Sequence, residues 1–311
     1  MTEEADLATE LGLLRGTVGH ERWSRVWHLT GRGQAIVPEL QRIRRHGPGR
    51  LRPAALEVLV TLVGEAGLHP DDLAAAERLV RVKAPVEASL SISRCWDAWL
   101  CVRGGEQRAI IDSLGLTPLR PATFALATQV ISDDRADPGG LVFVTPEIGG
   151  WTVVAGGWYS PHDGARSGEV RSLVERLSGE FGEAHAFCLN EYSEESTWLI
   201  AEQGRTVRRF GYDYNTGATS SPVGAPLPIE RRHLDAVGIS VAPEEVDDDE
   251  DFDDAYADFL DACTARTVAA EMSVDIVSGV LREDAVVRGV GMLARLPGSP
   301  ALSIPPGRYR I

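Results

Sequence analysis

Lysine is all but missing from this chain: Lys83 stands alone against thirty arginines. Folding does not require that bias, and the GC-rich genome of a bacterial source is its simplest origin. Long apolar runs are missing as well. None approaches the roughly twenty residues that a membrane-crossing helix needs, and the opening Met1-Thr2-Glu3-Glu4-Ala5-Asp6 is acidic where a secretory leader would be basic and then apolar. The expectation is a cytoplasmic protein with no membrane partner.

Cysteine is scarce too. Cys95, Cys101, Cys188 and Cys263 show no C-x-x-C spacing, which excludes a four-cysteine zinc site and leaves buried thiols as the expected state. The seven histidines show neither HxxxH nor HxH spacing. A G-x-S-x-G elbow, a Walker loop and a strand-linked G-x-G-x-x-G are all absent. No catalytic residue, metal ligand or cofactor is assigned on these grounds.

What is present is acid. The formal net charge is −15, and it is uneven: about neutral over residues 1–120, −7 over 121–240 and −9 over 241–311. The densest run is Glu244-Glu245-Val246-Asp247-Asp248-Asp249-Glu250-Asp251. Nucleic-acid affinity depends on Lys and Arg neutralising phosphates, so this balance argues against such a partner.

Up to residue 84 the apolar spacing is helical. Leu7, Leu11 and Leu14 form one stripe; Trp23, Val26 and Trp27 start another; Ile36, Leu40 and Ile43 form a third, broken by Gly47-Pro48-Gly49. Leu56, Leu59, Leu62 and Val63 make a face closed by Gly64 and Gly67, and Leu73, Ala76, Leu79 and Val80 follow before Ala84-Pro85. These paired amphipathic helices resemble HEAT-type repeats. A solenoid needs three or more stacked units, so the segment is expected to dock on the rest of the chain.

After Pro85 the period changes. Trp99-Leu100-Cys101-Val102 reads as a buried strand, Glu106 to Leu114 as a helix, Pro118 and Pro121 as a turn, and Phe124, Ala127 and Val130 as a helix. Leu141–Thr145 and Trp151–Ala155 flank Pro146-Glu147-Ile148-Gly149-Gly150 as a hairpin. An amphipathic helix from Glu169 ends at Gly182. Strands follow at 185–189, 197–201 and 206–212, the last two joined by Gln203-Gly204. Runs joined by such short turns pair antiparallel. Residues 213–252 read as turn-rich and then acidic, Tyr256, Phe259, Leu260 and Cys263 as a helix face, Val286 to Leu293 as a strand, and Pro305-Pro306-Gly307 as the start of a frayed tail. The fold class expected is α+β: a helical segment over 1–84, a mostly antiparallel sheet with packed helices over 85–235, and an acidic linker, helix and strand over 236–311.

The Phe143–Glu147 and Gly150–Val154 halves of the hairpin, with Ser196-Thr197-Trp198-Leu199-Ile200-Ala201-Glu202, resemble a group of actinobacterial proteins over roughly residues 90–230. The resemblance implies a fold and an actinobacterial source. It carries no chemistry.

Four local patterns have plainer accounts. Ser160-Pro161-His162-Asp163 gathers triad residue types, but triads assemble from distant segments, and a surface turn accounts for it. Asp247, Asp249, Asp251 and Asp253 mimic a calcium loop, yet Phe252 sits where glycine is needed. Residues 264–282 faintly resemble a helix-turn-helix, but its supposed recognition helix contains Asp275 and no basic residue before Arg282. Arg42, Arg44, Arg45, His46, Arg50 and Arg52 form a basic cluster that internal pairing accounts for.

The leading expectation is a non-catalytic protein-binding protein with a basic partner, an immunity protein that neutralises a toxin or a regulatory adaptor being its concrete forms. Candidate contact residues are Trp151, Trp158, Asp247, Asp249, Asp251, Tyr256 and Phe259. The alternative is a small-ligand binder or enzyme with a site between sheet and helical segment, for which Glu191, His185 and Tyr212 would have to converge. A DNA-binding regulator using residues 264–282 is third.

Overall fold

The computed structural model describes residues 3–87, 91–92, 98–131, 140–161, 166–190, 195–213, 218–219, 222–239, 250–278, 285–299 and 303–310. Five helices come first: α1 (Glu3–Leu13), α2 (Gly19–Thr30), α3 (Val37–His46), α4 (Arg52–Val63) and α5 (Pro70–Lys83). Prolines 38, 53 and 70 sit in the first turns of α3, α4 and α5, where the missing N–H costs nothing. Every residue of α4 from Ala54 to Thr61 is buried, and a helix buried and mostly apolar all round sits inside a core, with Glu57 paired there. Ala54, Ala55, Val58 and Leu59 meet α1–α3, while Leu56 and Val60 share a second core with the sheet. In α2 the buried positions are Val26 and Leu29, and Trp27 points outward, unlike the stripe its spacing suggests.

The sheet that follows consists of β1 (Ala98–Arg103), β2 (Thr117–Ala122), β3 (Leu141–Val144), β4 (Glu147–Ile148), β5 (Trp151–Ala155), β6 (Glu183–Asn190), β7 (Glu195–Glu202), β8 (Arg205–Asp213), β9 (Ala218–Thr219), β10 (Val287–Arg288) and β11 (Gly291–Arg295). Its main order is β2-β11-β3-β5-β1-β6-β7-β8-β9, and every pairing is antiparallel. The expected hairpin pairs Phe143 with Ala155 and Val144 with Val154. Gln203 and Gly204, both at positive φ, make the two-residue turn between β7 and β8.

Helices cover both faces, which explains why β3 and β5 are buried at every position and do not alternate. Trp99, Phe143, Val153, Phe187, Trp198 and Phe210 face α4, α5, α7 (Phe124–Ile131), α9 (Pro228–Ala236), α10 (Glu250–Ala262) and α11 (Ala265–Met272). Leu100, Val142, Val144, Val154, Ala186 and Leu199 face α6 (Gln107–Ser113) and α8 (Ser167–Phe181).

Several readings change. Pro118 and Pro121 lie in strand β2 and not in a turn; β2 pairs only with β11, so ring nitrogens without a donor are tolerated on its open edge. The final strand is split at Gly289, whose φ of 101° separates β10 from β11. Part of the turn-rich stretch is helix α9, anchored by a buried network: Glu230 accepts from Trp198 Nε1 and pairs with Arg208 at 2.9 Å, and Arg208 Nη1 donates to the Gly224 carbonyl at 2.8 Å.

The tail is not frayed. Ile304 and Tyr309 are fully buried; Gly307 N donates to the Thr61 carbonyl at 2.7 Å, Glu65 N to the Ile304 carbonyl at 2.8 Å, and Thr61 Oγ1 to the Tyr309 carbonyl at 3.0 Å. The carboxylate of Glu65 pairs with Arg120 of β2 and accepts from Ile304 N. The C-terminus thereby ties the helical segment to the sheet.

Candidate functional site

Among the described residues, the expected contact residues do not share a surface. Trp151 is buried in β5 against the His185 ring at 4.8 Å, with the Arg103 guanidinium 5.7 Å from its centroid. Phe259 is buried on the same side of the sheet but packs on Phe210, and Tyr256 is half-buried beside it. Trp158 belongs to the opposite face, against Tyr159. Asp247 and Asp249 lie outside the described residues, as does the side chain of Asp251. Period alone placed Tyr256 and Phe259 on one stripe but could not say that Phe210 would cover it.

The alternative site fares similarly. Glu191 lies outside the described residues. His185 pairs with Ile200, whereas Tyr212 pairs with Ser196, so the two sit four residues apart along β7, roughly 13 Å. Tyr212 is committed to the Leu260 carbonyl, to which its hydroxyl donates at 2.6 Å. His185 is fully buried. Its Nε2 donates to Glu183 at 3.0 Å, a bond that Arg103 completes by pairing with the same carboxylate at 2.6 Å, and its Nδ1 has no partner. Burial lowers the imidazole pKa against the pull of Glu183, while the His185 bond and then Arg103 lower that of Glu183. Cys101 lies opposite His185 in the β1–β6 register, but burial pushes its thiol up to about 12 and removes the thiolate a nucleophile needs.

The local patterns resolve the same way. Ser160 is half-buried, and His162 and Asp163 lie outside the described residues. Residues 250–262 are helix, which leaves Asp253 without calcium-loop geometry. After α11 the chain leaves the helix at Ser273 and buries Val274 and Ile276 in the core, where a recognition helix would need surface. Arg42 pairs with Glu39 at 2.5 Å, Arg44 with Asp72 at 3.2 Å, and Arg52 donates to the Gly47 carbonyl. Among the described residues no group of His, Cys, Asp and Glu could hold a metal ion, and no helix is long and apolar enough to cross a membrane.

Exposed apolar surface concentrates in the helical segment. Of the large hydrophobic side chains left exposed among the described residues, Leu13, Val18, Trp27, Val82 and Val86 lie there and only Val286 elsewhere. Trp27 is 56% exposed, and its ring centroid lies 6.1 Å from that of Trp23, over which the Arg310 guanidinium sits at 5.1 Å. Beneath, the buried Glu57 accepts from Arg22 Nε at 3.0 Å and from Lys83 at 3.2 Å. Burial lowers the Lys83 pKa more than Glu57 restores it. Glu87, beside Val86, accepts from Phe124 N and Ala125 N at the start of α7, and Arg310 draws on both Glu87 and Glu57. Trp23, Glu57 and Glu87 thus lie around Arg310 of the C-terminal tail. Residue type alone could not distinguish the exposed Trp27 from the buried Trp151.

No protein-family model, no curated protein and no solved structure matches the chain.

Proposed function

We propose that this is a non-catalytic protein-binding protein that docks its partner on the helical segment around Trp27. The observation that carries the reading is the apolar exposure just described: among the described residues, five of the six exposed large hydrophobics lie before residue 87. Scattered exposed apolar residues need no explanation, but a tryptophan beside a buried ionic cluster fits the anchor-and-rim pattern of interfaces. The acidity of residues 121–311, not of the near-neutral helical segment, steers a basic partner toward the molecule at long range. A cytoplasmic immunity protein facing a basic toxin, in an actinobacterial source, is the concrete form we favour, with a regulatory adaptor second.

The test is co-purification from the encoding organism with wild type and Trp27→Glu compared at matched thermal stability. One stoichiometric partner, lost in the variant and released by salt, is expected. The same partner retained by Trp27→Glu, or a wild type that elutes alone in every growth condition, would overturn the proposal.

A further inference from the structure

On the other face of the sheet, a pocket of about 310 Å³ opens between the end of α6, helix α8 and the chain leaving β11. Leu114, Leu173 and Leu296 form aliphatic walls, Trp158 and Tyr159 meet edge-to-face with centroids 5.2 Å apart, and Arg166 and Ser299 add polar groups to the lining. A dry cavity of about 150 Å³ holds benzene, so this volume takes one ring with a short polar arm. The composition is that of a small-molecule site, mostly apolar with a few placed polar groups.

Arg166 gives the pocket its selectivity. It is exposed, directly precedes α8, and lays its guanidinium 5.4 Å from the Trp158 centroid. It has no carboxylate partner among the described residues, whereas Arg171 and Arg176 on the same helix pair with Glu175 and Glu180. A guanidinium over an indole face is held there by its charge, and its N–H groups match a carboxylate. Tyr159 is almost wholly buried and its hydroxyl has no hydrogen-bond partner among the described residues, a further polar group beside Arg166 and Ser299 in a mostly apolar lining. The exposed Glu169, in the first turn of α8, stands three residues after Arg166, as Asp163 stands three before it, and this acidity disfavours a multiply charged anion.

We infer that this pocket binds a small aromatic monocarboxylate, its ring between Trp158 and the leucines and its carboxylate on Arg166. The site uses neither Trp27 nor the helical segment, so it stands or falls independently of the docking reading.

Calorimetric titration of the full chain with phenylacetate and indole-3-acetate, against the neutral phenylacetamide, tests it. We expect saturable one-to-one binding of at least one acid, with the amide weaker by about tenfold or more, a difference of about 1.4 kcal/mol. Arg166→Gln, an exposed change that leaves the fold intact, should bring the acid down to the amide's affinity. Leu173→Trp should fill the pocket and abolish both; if that variant fails to fold, Trp158→Ala replaces it and should weaken both. Absence of saturation by either acid up to about 10 mM, which corresponds to barely −3 kcal/mol, overturns the inference. Equal affinity for acid and amide, or an unaffected Arg166→Gln, overturns it too.

Discussion

At the scale of single residues, His185 sets burial most directly against charge. Its ring is closed in by Trp151 and Phe187, and its one hydrogen bond goes to Glu183. Because burial lowers its folded pKa, the unfolded chain takes up a proton first as pH falls below the ordinary value of 6.5. The stability that the neutral ring contributes is therefore complete above that value and is lost as pH drops toward the folded one. The slope should approach about 1.4 kcal/mol per pH unit for this one group. Glu183, also lowered, adds a second loss below its unfolded value of 4.5. Urea midpoints measured from neutrality down to about pH 5 should fall for the wild type and fall less steeply for His185→Gln. Parallel curves for the two proteins would remove His185 from the account. The sequence showed a histidine in a strand; its cage of Trp151, Phe187 and Glu183 comes partly from another strand and could not be read from it.

Among elements, the C-terminal tail departs most from expectation. Two prolines and a glycine read as fraying because local pattern carries no record of what lies across from them. Across from them is Gly64, with φ 64° and ψ −176°, a conformation reserved for glycine. A Cβ there would meet Pro306 N at 2.5 Å and the Ile304 carbonyl oxygen at 2.8 Å. Gly64→Ala should therefore cost about 2–4 kcal/mol, strain and lost tail contacts combined. Gly33→Ala, at φ 69° with open space around it, should cost only the backbone strain, about 1–2 kcal/mol. Denaturant titration of both variants checks the difference, and equal losses would mean that tail docking contributes nothing through this contact. Strand β2 teaches the same lesson: its prolines are tolerable only on an edge, and sequence does not say which strand is the edge.

For the whole molecule, the helical segment and the sheet share a core. Leu56, Val60, Ala75, Ala76 and Val80 are buried in one cluster with Trp99, Phe143 and Ile304. β11, from the end of the chain, lies between β2 and β3. Far-UV dichroism and tryptophan fluorescence should then report one coincident unfolding transition. Residues 1–86 expressed alone should bind a hydrophobic dye and lose helix, since each of Leu56 and Val60 forfeits about 1.5–3 kcal/mol of burial. A native-like, cooperatively melting fragment would separate the two halves.

The sequence by itself determined helices first and antiparallel strands after, the hairpin at 141–155, the turn at Gln203-Gly204 and helix α10. Each is written in periods and turn residues a few positions apart, where local sterics and one-sided burial act. Tertiary structure alone decided that β11 would enter the sheet, that the tail would lock onto Thr61 some 248 residues away, and that Trp27 would face out while Trp151 faced in. Periodicity marks which side of an element is apolar. What covers that side depends on contacts closed over hundreds of residues, and no short window contains them.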